Sequence, residues 1–278
     1  MTTVPVEIVG WPTRFVGGDG ATRKLFEEPL TGGATVRSVL EGAFAITVFH
    51  ESMARRVLQA LPSLSDRLIV VPQSVSFEAD GGGPVSPSST PPPTGFRLLF
   101  PAGIRAVKNP LFPLRPLDVV APRHPGLTLL YVGPVLDPEA GETLAAALRT
   151  RPWARHLGAR THREMRALIA SADVVLNCSL SEGGMANSVL EALVLGRAVL
   201  ASNIEGNRSL VEDGLTGLLF DTPEEFAEQL ERLLGDPALR RRLGETARER
   251  VAARFTPARE RDGYLDVYAR AAAAPHRA

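Results

Sequence analysis

A single cysteine, Cys178, stands in the 278 residues, which excludes a disulfide framework and a cysteine-ligated metal cluster. Cys178 itself reads as a small apolar residue at a strand end. An excess of charge is missing too. Lys+Arg and Asp+Glu each number 31, for a formal net charge of zero, so nothing in the balance favours a general affinity for nucleic acid or an anionic membrane, and only a local basic patch stays open. The chain contains no apolar run of membrane-spanning length, and its first residues lack the basic-then-apolar pattern of a secretory leader. The expectations are therefore no stable membrane span, no nucleic-acid partner and a cytoplasmic location. No internal repeat stands out.

Apolar residues, by contrast, make up 44% of the chain, enough for real cores and too many for disorder. The length suits one large domain or two ordinary ones. A break falls at residues 80–95 (DGGGPVSPSSTPPPTG), where glycine, serine and proline leave no apolar periodicity and read as a linker. The predicted organisation is a partial N-terminal α/β domain over residues 1–79, the linker, a larger α/β domain over 96–256 and a C-terminal helix over 257–278. In both blocks short apolar runs alternate with helical patterns, as in parallel sheets with crossover helices.

Strands are expected in the first block at residues 4–9, 43–49 and 67–71, with helices at 36–42 and at 52–61, the latter capped by Ser52. In the second block, strands are expected at 96–101, 127–132, near 155–157, at 173–177, 198–201 and 215–220. Helices are expected at 143–148, 161–171 and 189–195, and a loop at 203–208. Three more helices, at 223–234, 237–253 and 257–273, each carry proline near the first turn.

Two motifs in the first block carry little. Gly17-Gly18-Asp19-Gly20 is not followed by lysine and a hydroxyl residue at the spacing of a phosphate loop and reads as a turn, with a ligand-facing loop as the alternative. His50-Glu51-Ser52 has hydrolase residue types, but neighbours in sequence point in different directions, and catalytic triads are assembled from separate parts of a fold. The trio reads as a helix entry, with His50 the one member that could line a cleft.

The chemistry gathers in the second block. Residues 181–192 (SEGGMANSVLEA) follow a buried strand and open an apolar helix. A strand, a glycine turn and a helix N-terminus in that order present unpaired N–H groups and the positive end of the helix dipole to an anion. In parallel α/β sheets ligands bind beyond the carboxyl ends of the strands. Four features are expected there: Arg105 with Lys108, Gly133, the turn between Glu182 and Glu191, and residues 203–207. Arg105 and Lys108 could neutralise a diphosphate. Glu191 lies among Val189, Leu190, Ala192, Leu193 and Val194, and a carboxylate in such company calls for a partner. A ribose diol fits, because a carboxylate accepts two O–H hydrogen bonds. Glu182 could do the same for a sugar hydroxyl.

Several segments together resemble the donor-binding half of the retaining family-4 glycosyltransferases, which have the two-domain GT-B fold. They are the Gly-x-Arg-x-x-Lys run at residues 103–108, YVGP at 131–134, SEGGMANSVLEAL at 181–193 and SLVEDGLTGLLF at 209–220. The runs GIRAVKNP, VGPVLDP and ASNIEGN resemble the branch of glycosyltransferase 1 domain-containing protein 1 and its bacterial relatives, with selenosugar synthases as a near branch. The resemblance implies a GT-B-like pair of Rossmann-like parallel-sheet domains, the N-terminal one shortened. It implies a hexosyltransferase that retains anomeric configuration and uses no metal and no cofactor beyond its donor, a UDP-sugar foremost. Arg105 and Lys108 would hold the diphosphate and, with Glu182 on the sugar, form the catalytic set. Gly133 and the backbone of Gly183, Gly184, Met185, Ala186 and Asn187 would line the donor site, and Glu191 would bind the ribose. The loop after Gly158 would approach the base.

Three departures bear on these expectations. Eight residues separate Glu182 from Glu191, one more than is usual in the family, so one must bulge out or Glu182 shifts. Ser209 stands where the family often has glutamate. The first block is short for an acceptor domain, and an oligomeric or other partner could complete it. A non-catalytic relative with a binding role, and a selenosugar synthase using a UDP-sugar, are the alternatives to ordinary sugar transfer to an unidentified acceptor.

Overall fold

A computed structural model describes residues 34–75, 95–182 and 184–273. The expected strand at residues 4–9, the glycines at 17–20, nearly all of the linker and Gly183 lie outside the described residues. The chain divides into two compact units. The described residues of one are 34–74, 184–185 and 254–273; those of the other are 75, 95–182 and 186–253.

In the first unit, helix α1 (Ala34–Gly42) precedes strand β1 (Ile46–Val48), helix α2 (Glu51–Ala60) and strand β2 (Leu68–Val70), and β1 and β2 pair in parallel. A parallel pair needs a crossover, and α2 supplies it. Met53, Ala54 and Val57 form the buried stripe of α2 and pack with Leu40, Ile46, Val48, Leu61 and Leu64. The cap of α2 is His50 rather than Ser52. The helix starts one residue earlier than the sequence pattern suggests, which moves the cap position to His50. There His50 Nδ1 accepts the Met53 N–H at 3.2 Å, with Ser52 Oγ 2.7 Å away. The His-Glu-Ser trio is a helix entry. The last helix, which follows Thr256, belongs to this unit. Its Glu260 carboxylate accepts from the Ser74 N–H and Oγ at 2.9 and 2.5 Å, and Gly263 lies close against Val71.

The second unit is a six-stranded sheet with every neighbouring pair parallel. Its strands are β3 (Arg97–Pro101), β4 (Thr128–Val132), β5 (Ala154–His156), β6 (Val174–Asn177), β7 (Ala198–Ser202) and β8 (Leu218–Phe220). The helices between and after them are α3 (Leu114–Val120), α4 (Pro138–Leu148), α5 (His162–Ser171), α6 (Asn187–Val194), the single turn α7 (Glu205–Arg208), α8 (Pro223–Gly235) and α9 (Pro237–Arg254). Helix α10 (Pro257–Ala273) is the one that joins the first unit. β3 and β6 are buried along their whole length, as befits interior parallel strands covered on both faces. One covering helix is α8. Thr222 caps it, Phe226, Leu230 and Leu233 make its buried stripe, and Phe226 packs edge-on against Phe112 and Phe220 at ring distances of 5.7 and 5.1 Å. Each such buried side chain stabilises the fold by about 1.5–3 kcal/mol.

The strand order is β5-β4-β3-β6-β7-β8. The chain builds outward from β3 through β4 to β5, then crosses back and builds the other way from β6. The direction therefore reverses between β3 and β6, and at such a reversal the two flanking loops part to leave a crevice. Residues 203–208, expected as a loop, contain the single turn α7, closed by the Arg208 N–H on the Ile204 carbonyl at 2.9 Å. One turn is too short to show a period in sequence. Among the described residues no helix is long and apolar enough to cross a membrane.

Candidate functional site

The four features expected beyond the strand ends follow β3, β4, β6 and β7, which are adjacent in the sheet. After β3 the chain runs through Gly103 to Arg105 and a single 3₁₀ turn, Ala106–Lys108. Asn109 ends that turn in the left-handed region at φ 51°, which asparagine enters more readily than most residues. The Tyr131 hydroxyl donates to the Pro110 carbonyl at 2.8 Å, and burial pushes this phenol well above its usual pKa. The loop is thus pinned just past Lys108. On its other side the Leu180 N–H donates to the Val107 carbonyl at 2.9 Å, which joins it to the loop after β6.

That junction brings Lys108 and Glu182 together. Lys108 Nζ donates to both carboxylate oxygens, at 2.5 Å to Oε1 and 2.6 Å to Oε2, and the side chains are 13% and 6% exposed. Two further donors reach Glu182 Oε1: Ser179 Oγ at 2.7 Å and Asn177 Nδ2 at 3.1 Å. Sequence patterns pointed to the carboxylate as a sugar contact; its three protein donors escaped them. Arg105, on the same loop as Lys108, has a buried Nε with no hydrogen-bond partner among the described residues.

Gly133 ends β4 at a close approach of two loops. A Cβ there would lie 2.3 Å from the Ala102 carbonyl oxygen. Its N–H donates to the Gly158 carbonyl at 3.0 Å, and its carbonyl faces His156 Nε2 at 2.9 Å. Both backbone groups of Gly133 are engaged within the unit, so the structure shows a packing role for it.

Helix α6 opens at Ala186, which makes no side-chain cap, whereas α4, α5 and α8 are capped by Asp137, Thr161 and Thr222. The Val189 and Leu190 N–H groups donate to the Ala186 carbonyl at 2.9 and 3.0 Å, which leaves the N–H groups of Asn187 and Ser188 as those with no acceptor within the helix. Gly184, Met185 and Ala186 are buried and Asn187 is exposed. Glu191, one turn into α6, is largely buried, and its carboxylate oxygen lies 3.6 Å from His162 Nε2 at the start of α5. Burial raises the Glu191 pKa, and the neighbouring His162 pulls it part of the way back. His162 was not singled out in the sequence. It sits in the first turn of a capping box between Thr161 and Glu164, a local pattern that explains the helix without hinting at its other neighbour. Cys178 is buried, which pushes its thiol far above the ordinary range. Among the described residues no group of three or more His, Cys, Asp or Glu side chains is gathered that could hold a metal ion.

The family model described as "Glycosyl transferases group 1" matches residues 95–236. The chain belongs to this family. Glycosyltransferase 1 domain-containing protein 1 of Xenopus tropicalis is 33% identical over 162 residues, covering 58% of this chain and 47% of its own. The chain spans about half the length of the curated relatives it matches first. Among solved structures, HepE of Anabaena in complex with UDP-glucose superimposes with a TM-score of 0.73 at 16% identity, covering 84% of this chain and 66% of that one. Sucrose-phosphate synthase from Thermosynechococcus elongatus has a TM-score of 0.71 at 22% identity, with 93% and 65% coverage. At these identities the likeness carries the fold, which is α/β and GT-B-like, as expected from the sequence. The family match covers the six-stranded sheet and with it Arg105, Lys108, Glu182 and Glu191.

Proposed function

We propose that this group 1 chain binds a nucleotide-diphosphate sugar beyond the β3 and β6 strand ends and transfers the sugar with retention of anomeric configuration and without a metal. The observation that carries the reading is the joining of a cationic loop, an uncapped helix N-terminus and a buried carboxylate on one edge of one sheet. Arg105 and Lys108 offer positive charge where a diphosphate would lie, and the first N–H groups of α6 add the helix dipole. As the bond from the anomeric carbon to the diphosphate breaks, negative charge grows on the departing phosphate, and these groups stabilise it. Glu191 receives the ribose hydroxyls. Its burial favours a ligand able to donate two hydrogen bonds to it. That the Anabaena relative was crystallised with UDP-glucose favours a UDP-sugar.

The test is incubation of the purified chain with UDP-glucose and a panel of hydroxyl acceptors, following UDP release and the anomeric proton coupling of the product. An α product from the α donor supports retention; a β product contradicts it. Measurable transfer, or even slow donor hydrolysis, would also count against a purely binding protein, the reading favoured by a Lys108 already occupied by Glu182. Replacing the acceptors with selenophosphate, and the donor with UDP-N-acetylglucosamine, separates sugar transfer to oxygen from selenosugar synthesis.

A further inference from the structure

The two oxygens of Glu182 differ. Oε1 accepts from Lys108, Asn177 and Ser179, whereas among the described residues Oε2 accepts from Lys108 alone. If Lys108 swings toward a phosphate, Oε1 keeps two donors and Oε2 is stripped bare. The carboxylate then stays in place and presents one defined oxygen.

The donors that hold Oε1 are themselves fixed by a buried network spanning the ends of β6 and β7. Asn177, the last residue of β6, is 5% exposed, Ser179 2% and Asn207 0%. Asn177 Oδ1 accepts the Ser179 N–H at 3.0 Å and Asn207 Nδ2 at 3.3 Å. With two N–H donors on its oxygen, the amide of Asn177 can only turn its NH₂ toward Glu182. Asn207 is fixed in turn, because its Nδ2 also donates to the Ser202 carbonyl at 2.9 Å, while Ser202 Oγ donates to the Ser179 carbonyl at 2.7 Å. An asparagine at the end of an apolar strand is costly to bury unless its hydrogen bonds are made. Here one of them is spent on an ionised group.

We propose that Asn177 is a positioning residue. With Ser179 it holds Glu182 by Oε1, so that Oε2, which here accepts from Lys108, is presented to a hydroxyl of the donor sugar when Lys108 turns to the diphosphate. This inference rests on the donor site proposed above. It predicts that the network acts on the sugar and leaves the nucleotide alone. Asn177→Asp keeps the shape, removes the donor and sets a second acceptor beside Glu182; Ser179→Ala removes the other donor with little change in volume. In calorimetric titrations of the full chain with UDP and with UDP-glucose, or with GDP and GDP-mannose if only the guanine nucleotide binds, Asn177→Asp should lower the sugar-nucleotide to nucleotide affinity ratio about tenfold. Ser179→Ala should lower it about threefold, the low end of one net hydrogen bond, with the affinity for the bare diphosphate within about twofold of wild type. An unchanged ratio in both variants overturns the inference and leaves the donor site standing. Both affinities falling together also overturns it, since that marks a merely structural role. No binding of either nucleotide by the wild-type chain overturns the donor site and this inference with it.

Discussion

Lys108 and Glu182 face each other across the point where the sheet reverses its strand order, the first following β3 and the second β6, with Nζ 2.5 Å from Oε1. The pair is largely buried; Glu182 has two other donors, Asn177 and Ser179, and among the described residues Lys108 donates to Glu182 alone. Removing one partner from a buried pair is expensive because the other charge is left behind. Glu182→Ala, which strands Lys108 and two donors, should therefore destabilise the fold by about 3–5 kcal/mol. Lys108→Met, which leaves Glu182 its two donors, should cost less. Chemical denaturation of the two variants checks the order.

Replacing Glu182 by Gln keeps the shape and frees Lys108 from a full carboxylate charge. Glu182→Gln should bind UDP more tightly, by several-fold, while UDP-glucose turnover falls by at least about tenfold, the scale of one lost charge-assisted contact. Titration and a UDP-release assay on the same preparation read both quantities.

In the proposed donor site, Glu191 should make nucleotide binding depend on pH. Its pKa is raised above 4.5, the ordinary value, by burial. A ribose diol donates to the ionised carboxylate, so affinity for UDP should fall as the pH drops through a value above 4.5. The sign for stability is opposite. A carboxyl with a raised pKa in the fold stabilises the free chain at low pH, and that contribution is lost as the pH rises through the raised value. Glu191→Gln should flatten the acid limb of UDP binding measured by calorimetry between mildly acidic and neutral pH.

Gly133→Ala tests the packing of the loops after β3 and β4. A methyl group 2.3 Å from the Ala102 carbonyl oxygen forces the loops apart, so the midpoint of thermal unfolding should drop and stability fall by more than about 1 kcal/mol. His50→Ala, by contrast, removes a helix cap and should cost about 1 kcal/mol without altering UDP affinity.

Much of the second unit was legible in the sequence because its strands are short apolar runs ended by glycine or a polar residue. The runs before Gly103, before Gly133 and before the 181–192 turn all became adjacent parallel strands. Lys108 stood out because it lies in the connection after an apolar strand, and Glu191 because it stands among apolar residues of a helix, where a carboxylate calls for a partner; their roles toward a ligand belong to the proposal. The support of Glu182 was not legible. Asn177 and Asn207 are thirty residues apart, and no local period reports a hydrogen bond between the ends of neighbouring strands. His50 escaped notice as a cap because imidazole is an uncommon one, and Ser52 beside it has the commoner chemistry.

The diphosphate site proposed at Arg105 and Lys108 stands or falls on calorimetric titration of the wild-type chain with UDP and with GDP, repeated on Arg105→Ala and Lys108→Ala. One nucleotide should bind at micromolar to millimolar strength, on the order of −4 to −8 kcal/mol, and either substitution should abolish it. Absence of binding by both nucleotides, or binding that survives both substitutions, would contradict the proposed site.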